Sequence, residues 1–201
     1  EEAASDWCYV NNFVEPRNPI VLELPAGKGN IVQKSMTKLW RALSRSVQTA
    51  FQHESYVGRV EGLKATLTQA QQDELQDLAL EAEKRQLKLV LRTPGGHGFS
   101  PITAEGEVMN IDAFNALTID EQQQRKTAMH DMEKRLQKLA DRLGRMGDQN
   151  RDQVQKLNDE VTLAAIEPLI KKLKEQYEDL KPLVDYLSTY QQDIIENVDL
   201  I

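Results

Sequence analysis

A glycine–lysine turn is the first candidate for chemistry in this sequence. It follows a β-prone run, precedes a helical pattern and reads Leu24-Pro25-Ala26-Gly27-Lys28-Gly29-Asn30. A phosphate-binding loop needs an earlier glycine at a fixed distance, and a hydroxyl residue after the lysine to hold magnesium. Here that glycine is missing and Gly29 follows Lys28. The sequence therefore predicts a strand-to-helix turn that binds no phosphate.

The histidines and the cysteine are the next candidates, because both residue types are common metal ligands. His53, His97 and His130 stand far apart, with no cysteine or carboxylate at ligand spacing. The glycines around His97 indicate a hairpin turn rather than a metal or oxyanion site. Cys8, the single cysteine, excludes an intramolecular disulfide. We predict that it is a small buried residue of a strand.

Nucleophiles and general acids are not indicated either. No Gly-x-Ser-x-Gly elbow occurs. The paired carboxylates Glu81 with Glu83 and Asp120 with Glu121 are predicted on solvated helix faces, where burial does not raise their pKa. The methionine stripe at 129–146 is typical of helix-seam packing, with an adaptable binding surface as the alternative. We predict no catalytic, cofactor-binding or metal-binding residue in this chain.

The elements that would position such residues begin with two short strands. Aromatic and β-branched runs at 7–10 and 20–24 predict strands, and the proline-containing stretch 15–19 predicts the connector between them. Two strands alone are too few for a stable sheet. A helix over 31–51 follows, because apolar residues recur three and four apart. Its buried face is predicted to contain Met36, Leu39, Leu43 and Val47.

A second helix and a β-hairpin come next. A junction is predicted at 55–58, and the helix is expected over 57–85 with an apolar side of Val60, Leu63, Leu67, Leu75, Leu78 and Ala82. The period changes at Leu87, and the dense turn signal at 93–98 predicts a β-hairpin over 87–103. Its return strand is expected at 99–102.

One long helix dominates the second half. Asn110 is predicted to cap a short helix, and Thr118 with Glu121 forms a capping box. From there a helix is predicted over 119–167, and spacings of four and four through Asn150 predict a stutter that relaxes the supercoil. The apolar residues form a heptad seam, and they are Met129, Met132, Leu136, Leu139, Leu143, Met146, Val154, Leu157, Val161 and Ala164.

Glycines and a proline are expected to limit that helix. Gly144 and Gly147 weaken the prediction of a straight helix, since each costs about 1 kcal/mol relative to alanine. Pro168 is predicted either to kink the helix or to begin a new one over 168–177. Asp179 is predicted to cap a last helix with Pro182 in its first turn, carrying Leu183, Leu187, Ile194 and Ile195.

The bulk composition restricts the class of protein. The chain has 201 residues, a formal charge of −7 and only 5% aromatic residues, which suits narrow helix–helix seams. The excess of acids, with basic residues interleaved among them, argues against nucleic-acid binding. No apolar run approaches the length of a membrane span, and no signal peptide is visible. A single cysteine fits a reducing compartment, so a cytoplasmic location is expected.

Several short blocks also carry a family resemblance. They are Asp6-Trp7-Cys8-Tyr9-Val10-Asn11-Asn12-Phe13 with Pro16, Pro19 and residues 22–29, then 91–96, 166–170, Tyr186-Leu187 and 193–197. Together these blocks resemble Lon-like ATP-dependent proteases, in the bacterial branch whose AAA+ module carries a large helical insertion. The resemblance covers nearly the whole chain, and its first block is the most specific.

The resemblance implies that the catalytic parts lie elsewhere in a longer protein. In that family a phosphate-binding loop precedes the Trp-Cys-Tyr-Val strand, and the Walker B region and the Ser-Lys proteolytic domain follow the insertion. The chain starts at Glu1 without methionine and ends at Ile201, so none of them is expected within it. ATP is implied as cofactor of the parent only, and whether the parent hydrolyses it stays open. The implied parent is a homo-hexamer.

The sequence therefore predicts a mainly α fold. We expect a long antiparallel helical coiled-coil hairpin with a small β-hairpin near its tip and a short N-terminal β element. The β element, 6–30, is assigned to the AAA+ module. The helical domain, 31–201, contains a coiled-coil arm over 57–160 and C-terminal helices over 161–197.

The sequence bears on three possible functions. The first is a non-catalytic helical domain of a Lon-like ATP-dependent serine protease, which recognises or gates unfolded or misfolded protein substrates. The alternative is a coiled-coil structural or assembly adaptor, whose seam would hold a partner helix from another chain. An enzyme in its own right has no support from the residues above. No nucleic acid and no membrane are expected as partners.

Overall fold

The computed structural model describes residues 4–92 and 96–198, and expectations that concern 1–3, 93–95 or 199–201 lie outside it. The chain divides into two compact units, one with the residues up to Glu61 and from Gln153, the other with Gly62–Asp152. The elements are β1 (Asp6–Val10), β2 (Ile20–Leu24), α1 (Lys28–Gln52), α2 (Glu54–Lys84), β3 (Leu87–Arg92), β4 (Gly96–Pro101), α3 (Ile111–Asn115), α4 (Ile119–Gln176) and α5 (Lys181–Glu196). The predicted mainly α fold is confirmed.

The first unit begins with a two-stranded antiparallel ribbon. β1 pairs with β2 from Asp6 opposite Leu24 to Val10 opposite Ile20, which confirms the two predicted strands. Successive side chains of a strand point to opposite faces. Leu22 and Leu24 are accordingly buried, whereas Trp7 and Tyr9 are exposed on the outer face.

Three helices complete the core of the first unit. Leu43 of α1, Ile166 and Ile170 of α4 and Leu187 of α5 are fully buried in one cluster. The predicted apolar face of α1 is confirmed, although the helix begins at Lys28 rather than at residue 31. The ribbon packs on this same cluster. The predicted division between 6–30 and 31–201, which concerns the parent protein, stays a prediction.

The break between α1 and α2 lies earlier than predicted. α1 ends at Gln52, and His53 adopts an extended backbone with φ −69° and ψ 137°. The His53 carbonyl accepts from the amides of Tyr56 (3.0 Å) and Val57 (3.1 Å), which begins α2 at once. The prediction of a junction at 55–58 was wrong. Glycine weakens helices, but Gly58 lies inside α2, and the chain breaks at His53 instead.

The second unit is an antiparallel pair formed by parts of α2 and α4. Glu74 of α2 forms a salt bridge with Arg142 of α4, and Glu81 forms one with Arg135. The later residue of α2 thus pairs with the earlier residue of α4, so the two helices are antiparallel. Between the helices the apolar seam is closed by a cluster of Leu78, Ala82, Leu87, Phe99, Met132 and Leu139. This confirms the predicted helical hairpin and its internal partner.

The β-hairpin packs on the end of this seam. β3 pairs with β4 from Leu87 opposite Pro101 to Arg92 opposite Gly96. Leu87 and Phe99 are fully buried in the cluster of the helical pair. The predicted hairpin over 87–103 is therefore confirmed, with the return strand beginning at Gly96 rather than at residue 99. The predicted turn residues 93–95 lie outside the described ranges.

The long helix α4 is continuous over 58 residues. Pro168 was predicted either to kink the helix or to begin a new one, and the second alternative was wrong, since α4 passes through Pro168 and ends at Gln176. Proline has no amide hydrogen, so the carbonyl of Ala164, four residues earlier, lacks its helical hydrogen bond. Pro168 and Ala164 are both exposed, so this carbonyl belongs to a residue at the surface. Gly144 and Gly147 also lie within the helix.

Three details of the predicted helices need correction. Ala164 is exposed, and the buried stripe passes instead through Ile166 and Ile170. Beyond Leu157 the fully buried residues Thr162, Ile166 and Ile170 are four residues apart, so the stripe does not keep the three-and-four heptad spacing that predicted Ala164. Asp179 does not cap α5: the cap residue is Leu180, with no side-chain hydrogen bond. The predicted proline in the first turn of α5 is confirmed.

Thr162 provides a test of how this core is packed. Its side chain is fully buried in α4, and its Oγ1 has no hydrogen-bond partner among the described residues. A buried unsatisfied hydroxyl costs about 1–3 kcal/mol. We predict that Thr162→Val, which keeps the side-chain shape, raises the free energy of unfolding by about 1 kcal/mol in urea denaturation.

Thr37 supplies the matched control in the same unit. It is exposed, and its Oγ1 already donates to the Gln33 carbonyl at 3.0 Å. Thr37→Val should give no gain in the free energy of unfolding. Loss of stability in Thr162→Val beyond that of Thr37→Val would contradict the assignment of Thr162 as unsatisfied.

Candidate functional site

The glycine–lysine turn is the first place where the structure tests a predicted site. Gly27 has φ +79°, a left-handed conformation that favours glycine. The Lys28 amide donates to the Pro25 carbonyl at 3.0 Å. The Gly29 amide donates to Oδ2 of Asp6, in β1, at 2.7 Å. The first amides of α1 are therefore occupied by groups of the chain itself.

The Asp6 carboxylate occupies the place where a phosphate loop would hold an anion. Free amides and the helix dipole make the N-terminus of a helix favourable for negative charge. A Cβ at position 29 would lie 3.1 Å from Oδ2 of Asp6 and 3.2 Å from Sγ of Cys8, so a larger residue there requires these side chains to move by a few tenths of an ångström. The turn thus joins β1 to α1, and Lys28 is exposed beside it.

Asp6 should therefore contribute measurably to the stability of the first unit. A carboxylate that caps a helix N-terminus typically contributes about 0.5–2 kcal/mol. We predict that Asp6→Ala lowers the free energy of unfolding by about 1 kcal/mol in urea denaturation. Asp6→Asn retains an acceptor oxygen and should lose less. Equal stability of Asp6→Ala and the unaltered chain would contradict the capping role.

A cavity of about 740 Å³ opens beside β1. Its lining combines the exposed Trp7 and Tyr9 with Met36, Leu183 and Tyr186. The carboxylate of Asp6, which also lines it, is engaged by the Gly29 amide. Histidine and lysine are not among the described residues that line it.

An aromatic cluster, which the sequence reasoning missed, holds the β1–β2 loop on α5. The ring of Phe13 stacks on Tyr186 at 5.9 Å and on Tyr190 at 5.8 Å between centroids. Asn12 shapes the same loop, since its Oδ1 accepts from the amides of Val14 and Glu15. The available signal was the pair of tyrosines four residues apart, which share one face of a helix.

This cluster changes the titration of its tyrosines. Burial, reinforced by Tyr186 and Asp193, raises the pKa of Tyr190 to about 12. A phenol with a raised pKa in the folded state stabilises the fold below its ordinary pKa of about 10, and this stability is lost as pH rises toward its folded-state pKa. We predict that stability falls between about pH 10 and 12.

Alkaline difference spectroscopy measures this effect directly. In the unaltered chain, part of the tyrosine ionisation signal should appear only near pH 12. Phe13→Ala opens the cluster and should shift that part toward the ordinary range. A single ionisation step at the ordinary tyrosine pKa in the unaltered chain would contradict the burial of Tyr190.

The remaining sequence candidates are scattered. His53 is exposed after α1, His97 lies on β4 and His130 lies on α4, all three exposed to solvent. No group of three metal-binding side chains occurs among the described residues. Cys8 is half-buried in β1, in agreement with a packing role. Met132 is fully buried in the seam, which favours packing over an adaptable surface for the methionine stripe.

One carboxylate prediction was wrong. Glu81 does not lie on a solvated face but half-buried between the helices, where it pairs with Arg85 at 3.3 Å and with Arg135. The helix partner therefore converts Glu81 into a link across the seam. Asp120 and Glu121 are exposed as predicted. Hydrogen bonds from Thr118, helped by Arg125, lower the pKa of Glu121, as expected of a capping box.

Residues 102–124, the end segment, connect the β-hairpin to the long helix and form the other candidate site. The Met109 amide donates to the Pro101 carbonyl at 2.8 Å, and Nε2 of Gln122 donates to the Leu117 carbonyl at 3.0 Å. Asn110 caps α3 by accepting from the Ala113 amide, as predicted. Backbone and side-chain bonds thus order this segment without a deep core.

The end segment exposes aliphatic side chains. Val108, Ile111 and Ile119 are 46%, 79% and 84% exposed. Branched aliphatic residues at this level of exposure, within one short ordered segment, are a candidate contact surface. No sequence pattern predicted this surface. The sequence signal for this surface is the absence of lysine and arginine from 102–124.

Comparison with known proteins adds a family match. Residues 6–39 match the model described as the Lon-like LonC helical domain. The match supports a Lon-like protease helical domain for this segment. It contains the β ribbon, the Asp6–Gly29 contact and the first part of α1. No curated protein matches the chain. Among the described residues, no helix combines the length and apolar character that crossing a bilayer requires.

Proposed function

We propose that this chain is the non-catalytic helical domain of a Lon-like ATP-dependent serine protease and that it recognises or gates protein substrates. The family match over residues 6–39 carries the proposal. That segment is tied to the rest of the first unit, because Leu22, Leu24 and Val32 share one cluster with Ile166 and Ile170. The longer resemblance noted in the sequence adds support.

The second unit supports the substrate role. Its helical pair buries its own seam, and the end segment presents aliphatic side chains to solvent. Unfolded proteins expose apolar stretches that such a surface can contact. Recognition of unfolded or misfolded polypeptides therefore fits the chemistry of this end, and the bond-breaking step is assigned to another part of the parent protein.

The adaptor hypothesis has less support. It requires a free apolar seam for a helix of another chain, but the seam between α2 and α4 is filled by Leu78, Ala82, Met132 and Leu139. We assign ATP binding, the Ser-Lys dyad and the homo-hexameric assembly to the parent protein by resemblance. A cytoplasmic location is part of the same proposal.

A deletion in the full-length protein tests the substrate role. Nδ2 of Asn150 donates to the Leu63 carbonyl at 2.9 Å, so the two helices are adjacent there. Residues 64–149 can be replaced by a short glycine–serine linker between these positions. We expect degradation of an unfolded model protein to fall by about tenfold or more, because capture raises the local substrate concentration.

Two controls separate recognition from loss of structure. Cleavage of a short fluorogenic peptide should stay near the rate of the unaltered protein, since such a peptide reaches the active site without capture. Light scattering should give the same assembly size for both proteins. Unchanged degradation of the unfolded protein by the deletion variant would refute the proposed function.

A further inference from the structure

The end segment has an unusually one-sided charge. Residues 102–124 contain no lysine or arginine, and their acidic residues are Glu105, Glu107, Asp112, Asp120 and Glu121. All of these carboxylates are exposed. None of them forms a salt bridge with a described residue. Arg125, the residue after the segment, acts electrostatically on Glu121. The other four carboxylates carry negative charge without a salt bridge to a described residue.

The acidic residues of the helical pair differ from those of the end segment in having salt-bridge partners. There, Glu74 and Glu81 pair with arginines of the facing helix. In the end segment, Glu121 caps α4, since its Oε2 accepts from the Thr118 amide at 2.9 Å. Glu105 and Glu107 lie on either side of Gly106, in a turn that is closed by the Thr103 amide donating to the Glu107 carbonyl at 2.8 Å.

Exposed aliphatic side chains lie within the same segment. Val108 follows Glu107 directly and belongs to a β-bridge with Ile102. Ile111 precedes Asp112 at the start of α3, and Ile119 precedes Asp120 at the start of α4. Each exposed aliphatic residue is thus a direct sequence neighbour of an exposed carboxylate. The segment therefore exposes apolar side chains and carboxylates at neighbouring positions of the chain.

We infer that the end segment binds extended polypeptide stretches in which lysine or arginine residues lie next to aliphatic residues. The inference rests on the proposed function and names the class of substrate. An aliphatic side chain of the partner gains by covering Val108, Ile111 or Ile119. An adjacent cationic side chain gains by approaching the neighbouring carboxylate, and this complementarity selects the partner.

Charge decides against the other occupants. An acidic or strongly polar peptide would be repelled or would leave the aliphatic residues uncovered. A second copy of the same end segment would bring like charges together, which opposes self-association through this surface. The described residues here offer no group of three metal ligands. A basic and aliphatic polypeptide satisfies both properties of the surface.

Peptide binding to the 201-residue chain tests the inference. Three short fluorescent peptides of equal length serve as probes: one alternates lysine or arginine with leucine, valine or isoleucine. The second has glutamate at every basic position, and the third has serine at every aliphatic position. By fluorescence anisotropy, the first should bind about tenfold more tightly than either of the others. Its affinity should fall as potassium chloride rises, because salt screens exposed charges.

Substitutions locate the surface. Glu105→Gln with Glu107→Gln removes two charges and leaves the helix caps intact, and Ile111→Ser with Ile119→Ser removes exposed aliphatic contact. Each pair should weaken binding of the first peptide by about fivefold to tenfold. Glu133→Gln with Asp152→Asn is the matched charge control, since both residues are exposed and outside the end segment. Leu80→Ser is the aliphatic control, on the exposed side of α2. The controls should leave the affinity unchanged.

Several results would overturn the inference. They are equal binding of all three peptides, tighter binding of the glutamate peptide, or equal loss in the control variants. Self-association of the chain in light scattering that Ile111→Ser with Ile119→Ser abolishes would instead assign the surface to a second copy. Unaltered circular dichroism of each variant excludes unfolding as the cause of lost binding.

The same variants separate this inference from the proposed function. If the deletion of 64–149 abolishes degradation but the end-segment variants bind the first peptide normally, the proposed function stands and the inference fails. If the end segment selects that peptide but the deletion leaves degradation unchanged, the inference stands and the proposed function fails.

Discussion

The apolar stripe along α4 is the constraint on which both units depend. In the second unit it buries Met132 and Leu139 against α2 and the β-hairpin. In the first unit it buries Ile166 and Ile170 against α1 and α5. A helix of this length has few stabilising interactions beyond its own hydrogen bonds unless such a face is covered. The burial of this stripe explains why α4 persists through two glycines and a proline.

A change of period divides that stripe. Between Met146 and Val154 the apolar spacing changes to four and four, and Asn150 takes the central position. Its side chain donates to the Leu63 carbonyl instead of packing in an apolar layer. A polar residue on a helix seam is paired in one register only, because any slip leaves its amide unsatisfied. We infer that Asn150 fixes the alignment of α2 and α4 in the second unit.

The N-terminal ribbon shows how a marginal element acquires stability. Two strands alone are not stable in water. Here the ribbon is held at both sides, by the Asp6 carboxylate on the amide of Gly29 and by Phe13 on the two tyrosines of α5. These contacts lie in or next to the segment that matches the Lon-like LonC helical domain. At the glycine–lysine turn the chain itself supplies an anion, the Asp6 carboxylate, to the start of α1.

Local patterns in the sequence determined most of the elements. The strand at 20–24, the Asn110 cap, the Thr118–Glu121 capping box and the heptad seam follow from short-range spacing, which depends on helix and strand geometry alone. These predictions agree with the structure, except that Ala164 of the predicted seam is exposed. Short-range signals failed at the break before α2, at Pro168 and at Asp179, where packing or a backbone hydrogen bond overrode residue preference.

Tertiary structure decided which groups meet. Asp6 and Gly29 are far apart in sequence, as are Glu81 and Arg135, so no local pattern could join them. Burial was decided in the same way: Thr162 became a core residue, while Ile111 and Ile119 stayed exposed. The sequence by itself determined the helices, the hairpin and the acidic composition of 102–124. Only the fold decided that these carboxylates and aliphatic residues are exposed in one ordered segment, because exposure depends on what the rest of the chain covers.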